Sequence, residues 1–253
     1  MSTMISVQDA TKIYSTDRGT TVSLDHVSLD VEQGEFITLV GPSGCGKSTM
    51  LNLIGGLLNP TSGSILVNGK AVKGPSPDRG VIFQQYALFP WLTARQNVEF
   101  GLRLQGVPKR ERSARAQKYL ELVGLGEFGD ALPKELSGGM KQRCAIARAY
   151  AVHPSLLLMD EPFGALDALT RVQMQDDLLD TWQKERRTIV FITHDVDEAV
   201  YLASRVVVMS PRPGRISEII DVPLAYPRTE EMRLSPEFAD IRAKVWRGVH
   251  QHN

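Results

Sequence analysis

The residues Gly41-Pro42-Ser43-Gly44-Cys45-Gly46-Lys47-Ser48-Thr49 fit G-x-x-x-x-G-K-[ST], a loop pattern that binds phosphate. Its glycines let the backbone curl until successive N–H groups face phosphate oxygens, and a helix starting near Lys47 adds the positive end of its dipole. On this reading Lys47 neutralises the β and γ phosphates of a nucleotide and the Ser48 hydroxyl ligates magnesium. The flanks supply the context that the motif requires. Glu35 to Val40 is a short β-favouring run, and Met50, Leu51, Leu53 and Ile54 then recur at helical spacing.

Other stretches carry chemistry less specifically. Leu156-Leu157-Leu158-Met159 is an apolar run of buried-strand type that ends in Asp160-Glu161. Two adjacent carboxylates at a strand end need a cation, a water or a basic partner, and magnesium held with a nucleotide would be one. A second apolar strand, Thr188 to Thr193, ends at His194-Asp195. Asp195 with Glu198 has the form of a capping box, so Asp195 has a sufficient structural role, which leaves His194 as the candidate for chemistry. Leu136-Ser137-Gly138-Gly139 enters a helix through a serine and bare amides, a second potential anion site that is weak as a lone motif. Tyr14 could stack on a purine, although from local sequence alone packing on a sheet face is the stronger reading.

The elements that position these residues follow from periodicity. Residues 4 to 40 cluster β-favouring residues between turn signals such as Asp17-Arg18-Gly19 and Glu32-Gln33-Gly34, which predicts an antiparallel sheet of short strands. Val81-Ile82-Phe83 is a further short strand ending on Gln84. From Thr93 to Leu136 the pattern is helical, a candidate inserted lobe, and Phe238, Ile241, Val245 and Val249 mark a closing amphipathic helix. The apolar run from Gln85 to Leu92 either receives a partner or is covered by the chain's own helices.

At 253 residues and 42% hydrophobic content the chain can build a sizeable core, and Lys+Arg and Asp+Glu both total 29. That balance gives no support for a nucleic-acid partner or for attraction to acidic lipid. Cys45 and Cys144 form neither a disulfide framework nor a metal spacing, which suits a reducing compartment. The start, Met1 to Ile5, lacks a signal-peptide pattern, and no stretch approaches eighteen apolar residues.

Taken together and in this order, the motifs resemble the nucleotide-binding subunit of an ABC transporter, and the resemblance covers the whole chain. Walker A is Gly41 to Ser48, the glutamine loop falls on Gln84, and the signature is Leu136 to Gly139. Walker B is Leu156 to Asp160 with the catalytic glutamate at Glu161; the D-loop is Ala165-Leu166-Asp167, the switch histidine His194 and the aromatic A-loop residue Tyr14. Met140 stands where many members carry glutamine. Phe89-Pro90-Trp91-Leu92 and Ser210-Pro211-Arg212-Pro213-Gly214-Arg215-Ile216 look like the branch that serves bacterial importers of nitrate, sulfonates and taurine.

The resemblance implies an α/β fold with a P-loop NTPase core, mainly a parallel sheet flanked by helices, plus an antiparallel β subdomain. It implies one cassette over 1–253, a helical subdomain inserted at about 85–135 and a short C-terminal linker and helix at 223–253. ATP and Mg2+ are the implied cofactors. Lys47 and Ser48 would hold the phosphates and metal, Gln84 and Asp160 would approach the metal, Glu161 would polarise the attacking water, and His194 would touch the γ-phosphate. Two copies would sandwich ATP head to tail, with Ser137, Gly138, Gly139 and Asp167 of one facing Walker A of the other. Permease subunits would dock at Gln85 to Leu92, a solute-binding protein would act at one remove, and no nucleic acid is expected. The chain would sit peripherally on the cytoplasmic face of the bacterial inner membrane. A thiol at Cys45 would be open to reagents and shielded by ATP. Exporter cassettes, soluble ABC ATPases and a regulatory nucleotide-binding module are the competing readings; the last has no need of Glu161 and His194.

Overall fold

The computed structural model describes residues 2–17 and 19–250. Arg18 of the expected Asp17-Arg18-Gly19 turn, and Met1, lie outside them. In chain order the elements are β1 (Thr3–Thr16), β2 (Gly19–Glu32), β3 (Phe36–Val40), α1 (Lys47–Gly55), β4 (Ser62–Val67), β5 (Lys70–Ala71), β6 (Arg79–Ile82), α2 (Ala94–Leu104), α3 (Lys109–Leu122) and α4 (Gly138–Ala151). They continue with β7 (Leu156–Asp160), α5 (Ala168–Glu185), β8 (Thr188–Ile192), α6 (Val196–Leu202), β9 (Arg205–Met209), β10 (Ile216–Asp221) and α7 (Pro236–His250). The chain divides into two compact units, Met1–Ser76 with Leu179–Asn253, and Pro77–Leu178.

In the first unit β3 lies between β8 and β9 and runs parallel to both, and β10 pairs antiparallel with β9. All five residues of β3 and all five of β8 are buried, which explains why both read as continuous apolar runs rather than alternating ones. Phe36 anchors this core edge-on to Trp182 and beside Phe191. Helix α1 buries Met50, Leu51, Leu53 and Ile54, the apolar positions legible in the sequence. Helix α7 buries Phe238, Ile241 and Val245.

A second sheet in the same unit has the order β2-β1-β4-β5 and is antiparallel throughout. The sequence predicts several short strands here, whereas β1 and β2 each run for 14 residues. The reason is local: their register shifts between Val7 and Ala10 and again beyond, and Asp9 and His26 take positive φ, so irregularities bend the strands without ending them.

The second unit holds the parallel pair β6 and β7 and the helices α2, α3 and α4. The stretch read as helical, 93–136, holds α2 and α3 and then only two 3-10 turns, Gly126–Phe128 and Pro133–Glu135, with turns and coil between them. Thr93 closes a reciprocal capping box with Gln96 at the start of α2. β6 ends at Ile82, so Phe83 and Gln84 follow the strand rather than finish it. The fold is α/β: a parallel core with helices and an antiparallel sheet.

Candidate functional site

The phosphate loop leaves the buried end of β3 and enters α1 at Lys47. Gly46 is the N-cap of α1 with φ +101, and a Cβ there would lie 2.7 Å from Leu24 Cδ2 and 2.9 Å from the Ser23 carbonyl oxygen. Only glycine satisfies both the left-handed backbone and the contact. Buried Lys47 donates through Nζ to the carbonyls of Gly41 at 2.8 Å and Pro42 at 3.0 Å, so it closes the loop on itself. Two of its three N–H donors are thus engaged by the loop's own carbonyls. Ser43, Gly44 and Ser48 are exposed along the same loop.

Cys45 corrects one expectation. Its side chain is fully buried, with Sγ 3.7 Å from Lys47 Nζ, and its N–H donates to the Pro42 carbonyl at 3.3 Å. The thiol points into the protein and is not offered to reagents. Tyr14, 37% exposed, sets its hydroxyl 3.4 Å from Thr49 Oγ1, and Ser23 Oγ reaches the same atom at 3.0 Å. Tyr14 is therefore tied to the first turn of α1, a relation that no spacing in the sequence announces.

His194 follows β8 and is exposed, next to buried Thr193. The Thr193 hydroxyl accepts from Asp195 N–H at 3.0 Å, and Asp195 Oδ1 in turn accepts from Glu198 N–H at 3.1 Å as the N-cap of α6. Asp195 thus fixes the turn that presents His194.

In the second unit, β7 delivers Asp160 half-buried at its end, and Glu161 follows at φ +45. A non-glycine residue in that region is strained, a cost of about 1–3 kcal/mol that concentrates at functional sites. Gln84 Nε2 donates to Glu161 Oε2 at 3.3 Å, so the glutamine loop and the glutamate meet. Ser137 caps α4 by accepting from Met140 N–H at 3.3 Å, and Gly138 and Gly139 form the first positions of the helix. A Cβ on Gly139 would stand 3.3 Å from Leu166 Cδ2, which places the signature against the D-loop of the same chain. Asp167 Oδ1 accepts from Thr170 N–H at 3.0 Å, and that backbone hydrogen bond holds its carboxyl below the usual range.

Tyr86, read from the sequence only as part of the apolar run, and Arg148, which sequence reasoning missed, join the segment after Gln84 to α4. The Tyr86 hydroxyl would be 2.9 Å from a Cβ on Gly138. Arg148, two to three turns along α4, donates to the Ala87 carbonyl at 2.7 Å and lies over the Phe89 ring. Beyond them Trp91 is 72% exposed while Phe89 packs on Phe100 at 4.5 Å, so the apolar run is part covered and part open.

The residue types suit their implied ligands. A glycine loop with a buried lysine suits polyphosphate; Ser48 in the first unit, and Gln84 and Asp160 in the second, each carry a hard oxygen donor of the kind that magnesium takes.

Comparison with known proteins bears on the family. The family model described as ABC transporter matches residues 24–164. The nitrate import ATP-binding protein of Synechocystis sp. is 51% identical over 240 residues, 92% of this chain and 90% of that protein. The taurine import ATP-binding protein of Rhizobium johnstonii is 47% identical over 253 residues, 98% and 97% of the two chains. Among solved structures, a dimeric post-hydrolysis state of the ATP-binding cassette MJ0796 bound to ADP and Pi superposes with a TM-score of 0.81 at 33% identity, covering 88% of this chain and all of that one.

Proposed function

Because the chain belongs to the ABC transporter family and is an ATP-binding and ATP-hydrolysing cassette of it, we propose that it powers bacterial uptake of a small anion of the nitrate, sulfonate or taurine class. The observation that carries this reading is the kinship, over nearly the whole chain, with ATP-binding subunits of a nitrate importer and a taurine importer.

In this proposal Lys47 gives up the carbonyls of Gly41 and Pro42 to take the β and γ phosphates, while Tyr14 stacks on the base. Pro42, Ser43, Gly44, Cys45, Gly46 and Thr49 shape the cradle with Gly41, and Ser48, Gln84 and Asp160 hold the metal. Magnesium, when bound, neutralises the charge that grows on the phosphates. Glu161 polarises the attacking water and His194 steadies the γ-phosphate. Ser137, Gly138, Gly139 and Asp167 complete the site of a second copy, so hydrolysis releases a head-to-tail dimer and shifts the population of its open and closed states. Residues 85–135 act as the helical subdomain and 223–253 as a C-terminal linker and helix.

No described helix is long and apolar enough to cross a membrane. The cassette is proposed to sit on the cytoplasmic face through permease subunits docked at Gln85 to Leu92, with a solute-binding protein feeding the permease. Uptake of labelled nitrate, taurine and an alkanesulfonate in cells with and without the chain tests the reading. Loss of one uptake, restored by the native chain and not by Glu161→Gln, is expected; three unchanged uptakes would overturn it.

A further inference from the structure

The segment Ser210 to Arg215, between β9 and β10, has no part in the mechanism above, yet it lies across the phosphate loop. It is fastened to the first half of β2: Gly214 N–H donates to the Ser23 carbonyl and Asp25 N–H to the Gly214 carbonyl, both at 3.0 Å. Arg215 pairs with Asp25. A Cβ on Gly214 would fall 1.9 Å from the Cys45 carbonyl oxygen, so the strap and the loop are in backbone contact. From this strap Arg212 extends to the loop, where Nε and Nη2 both donate to the Gly44 carbonyl at 3.3 Å.

We propose that Arg212 is a positioning residue for ATP, holding the Gly44 carbonyl so that the phosphate loop keeps its curl when Lys47 turns to the ligand. Two cations hold three carbonyls of the loop: buried Lys47 takes Gly41 and Pro42, and exposed Arg212 takes Gly44. Nucleotide binding removes the first hold and leaves the second. Arg212 also places a fixed positive charge beside the loop, whose effect grows with the negative charge of the ligand and falls with salt.

The test measures binding of the non-hydrolysable β,γ-imido analogue of ATP, and of ADP, to the full chain and to Arg212→Gln and Arg212→Lys at low and high salt. Arg212→Gln is expected to bind the ATP analogue about fivefold more weakly at low salt, with a smaller loss for ADP. The difference narrows at high salt, and Arg212→Lys recovers most of it. Unchanged affinity in Arg212→Gln would overturn the proposal. An equal loss for both nucleotides at every salt, with a lowered melting temperature, would also overturn it by making Arg212 a scaffold residue. The proposal rests on the nucleotide reading of the loop; failure of the native chain to bind either nucleotide would overturn that reading and the proposal with it.

Discussion

Gln84 Nε2 donates to Glu161 Oε2 at 3.3 Å, which joins the residue two places beyond β6 to the carboxylate that follows β7. Glu161 is held there at φ +45, a conformation that its side chain does not favour and that its position must enforce. If this carboxylate orients the attacking water, Glu161→Gln keeps the shape and the contact to Gln84 while losing the base. Turnover should fall by about 10²–10⁴ with ATP binding retained, and the variant should run as a dimer in ATP. A steady-state rate within a few-fold of the native chain would remove Glu161 from that role.

Gly46 is a position where the cradle has no room for a side chain. An added methyl would meet Leu24 Cδ2 at 2.7 Å at a φ of +101. Gly46→Ala should cost about 1–3 kcal/mol of stability and weaken ATP binding. Gly74→Ala, where a Cβ meets nothing within 4 Å, is the control. Equal urea midpoints for the two variants would contradict the geometry.

Both thiols are buried, and burial pushes the Cys144 thiol up to about 12. Burial likewise pushes the Tyr226 hydroxyl up to about 12. The native chain should resist maleimide with or without ATP and react at both cysteines in urea. Above the ordinary values of these groups, near 9 and 10, the unfolded chain releases protons that the folded chain keeps. Stability should therefore fall as pH rises from about 9 towards 12. A flat melting temperature across that window would contradict the burial.

Trp91 is the open end of the apolar run, and Phe89 is its half-covered anchor. Trp91→Asp should leave ATPase activity of the purified chain near native and reduce its recovery with membranes several-fold. Undiminished recovery would move the docking site elsewhere.

The parts of the fold that the sequence discloses are those where one chemical demand dominates. β3 and β8 are apolar at nearly every position because both faces are covered, and the phosphate loop declares itself because curl, cation and hydroxyl must coincide in a few residues. Gln84, Glu161 and His194 were legible as strand-end polar residues, whereas their roles came from the order of motifs. What stayed hidden depends on distant approaches. The direction of Cys45 is set by packing, and the join of Tyr14 to Thr49 spans 35 residues. The hold of Arg212 on Gly44 spans 168. The length of β1 and β2 was hidden because Asp9 and His26, at positive φ, interrupt the regular pairing without ending the strands.

The most direct test is to recover the chain gently from bacterial membranes with its partners and reconstitute the complex in vesicles that enclose ATP. Nitrate, taurine or an alkanesulfonate is then supplied outside with its binding protein. The account predicts a stoichiometric polytopic partner and ATP-dependent accumulation of one of these anions, abolished by Glu161→Gln. Recovery without a membrane partner, or ATP-driven movement of solute in the opposite direction, would contradict it.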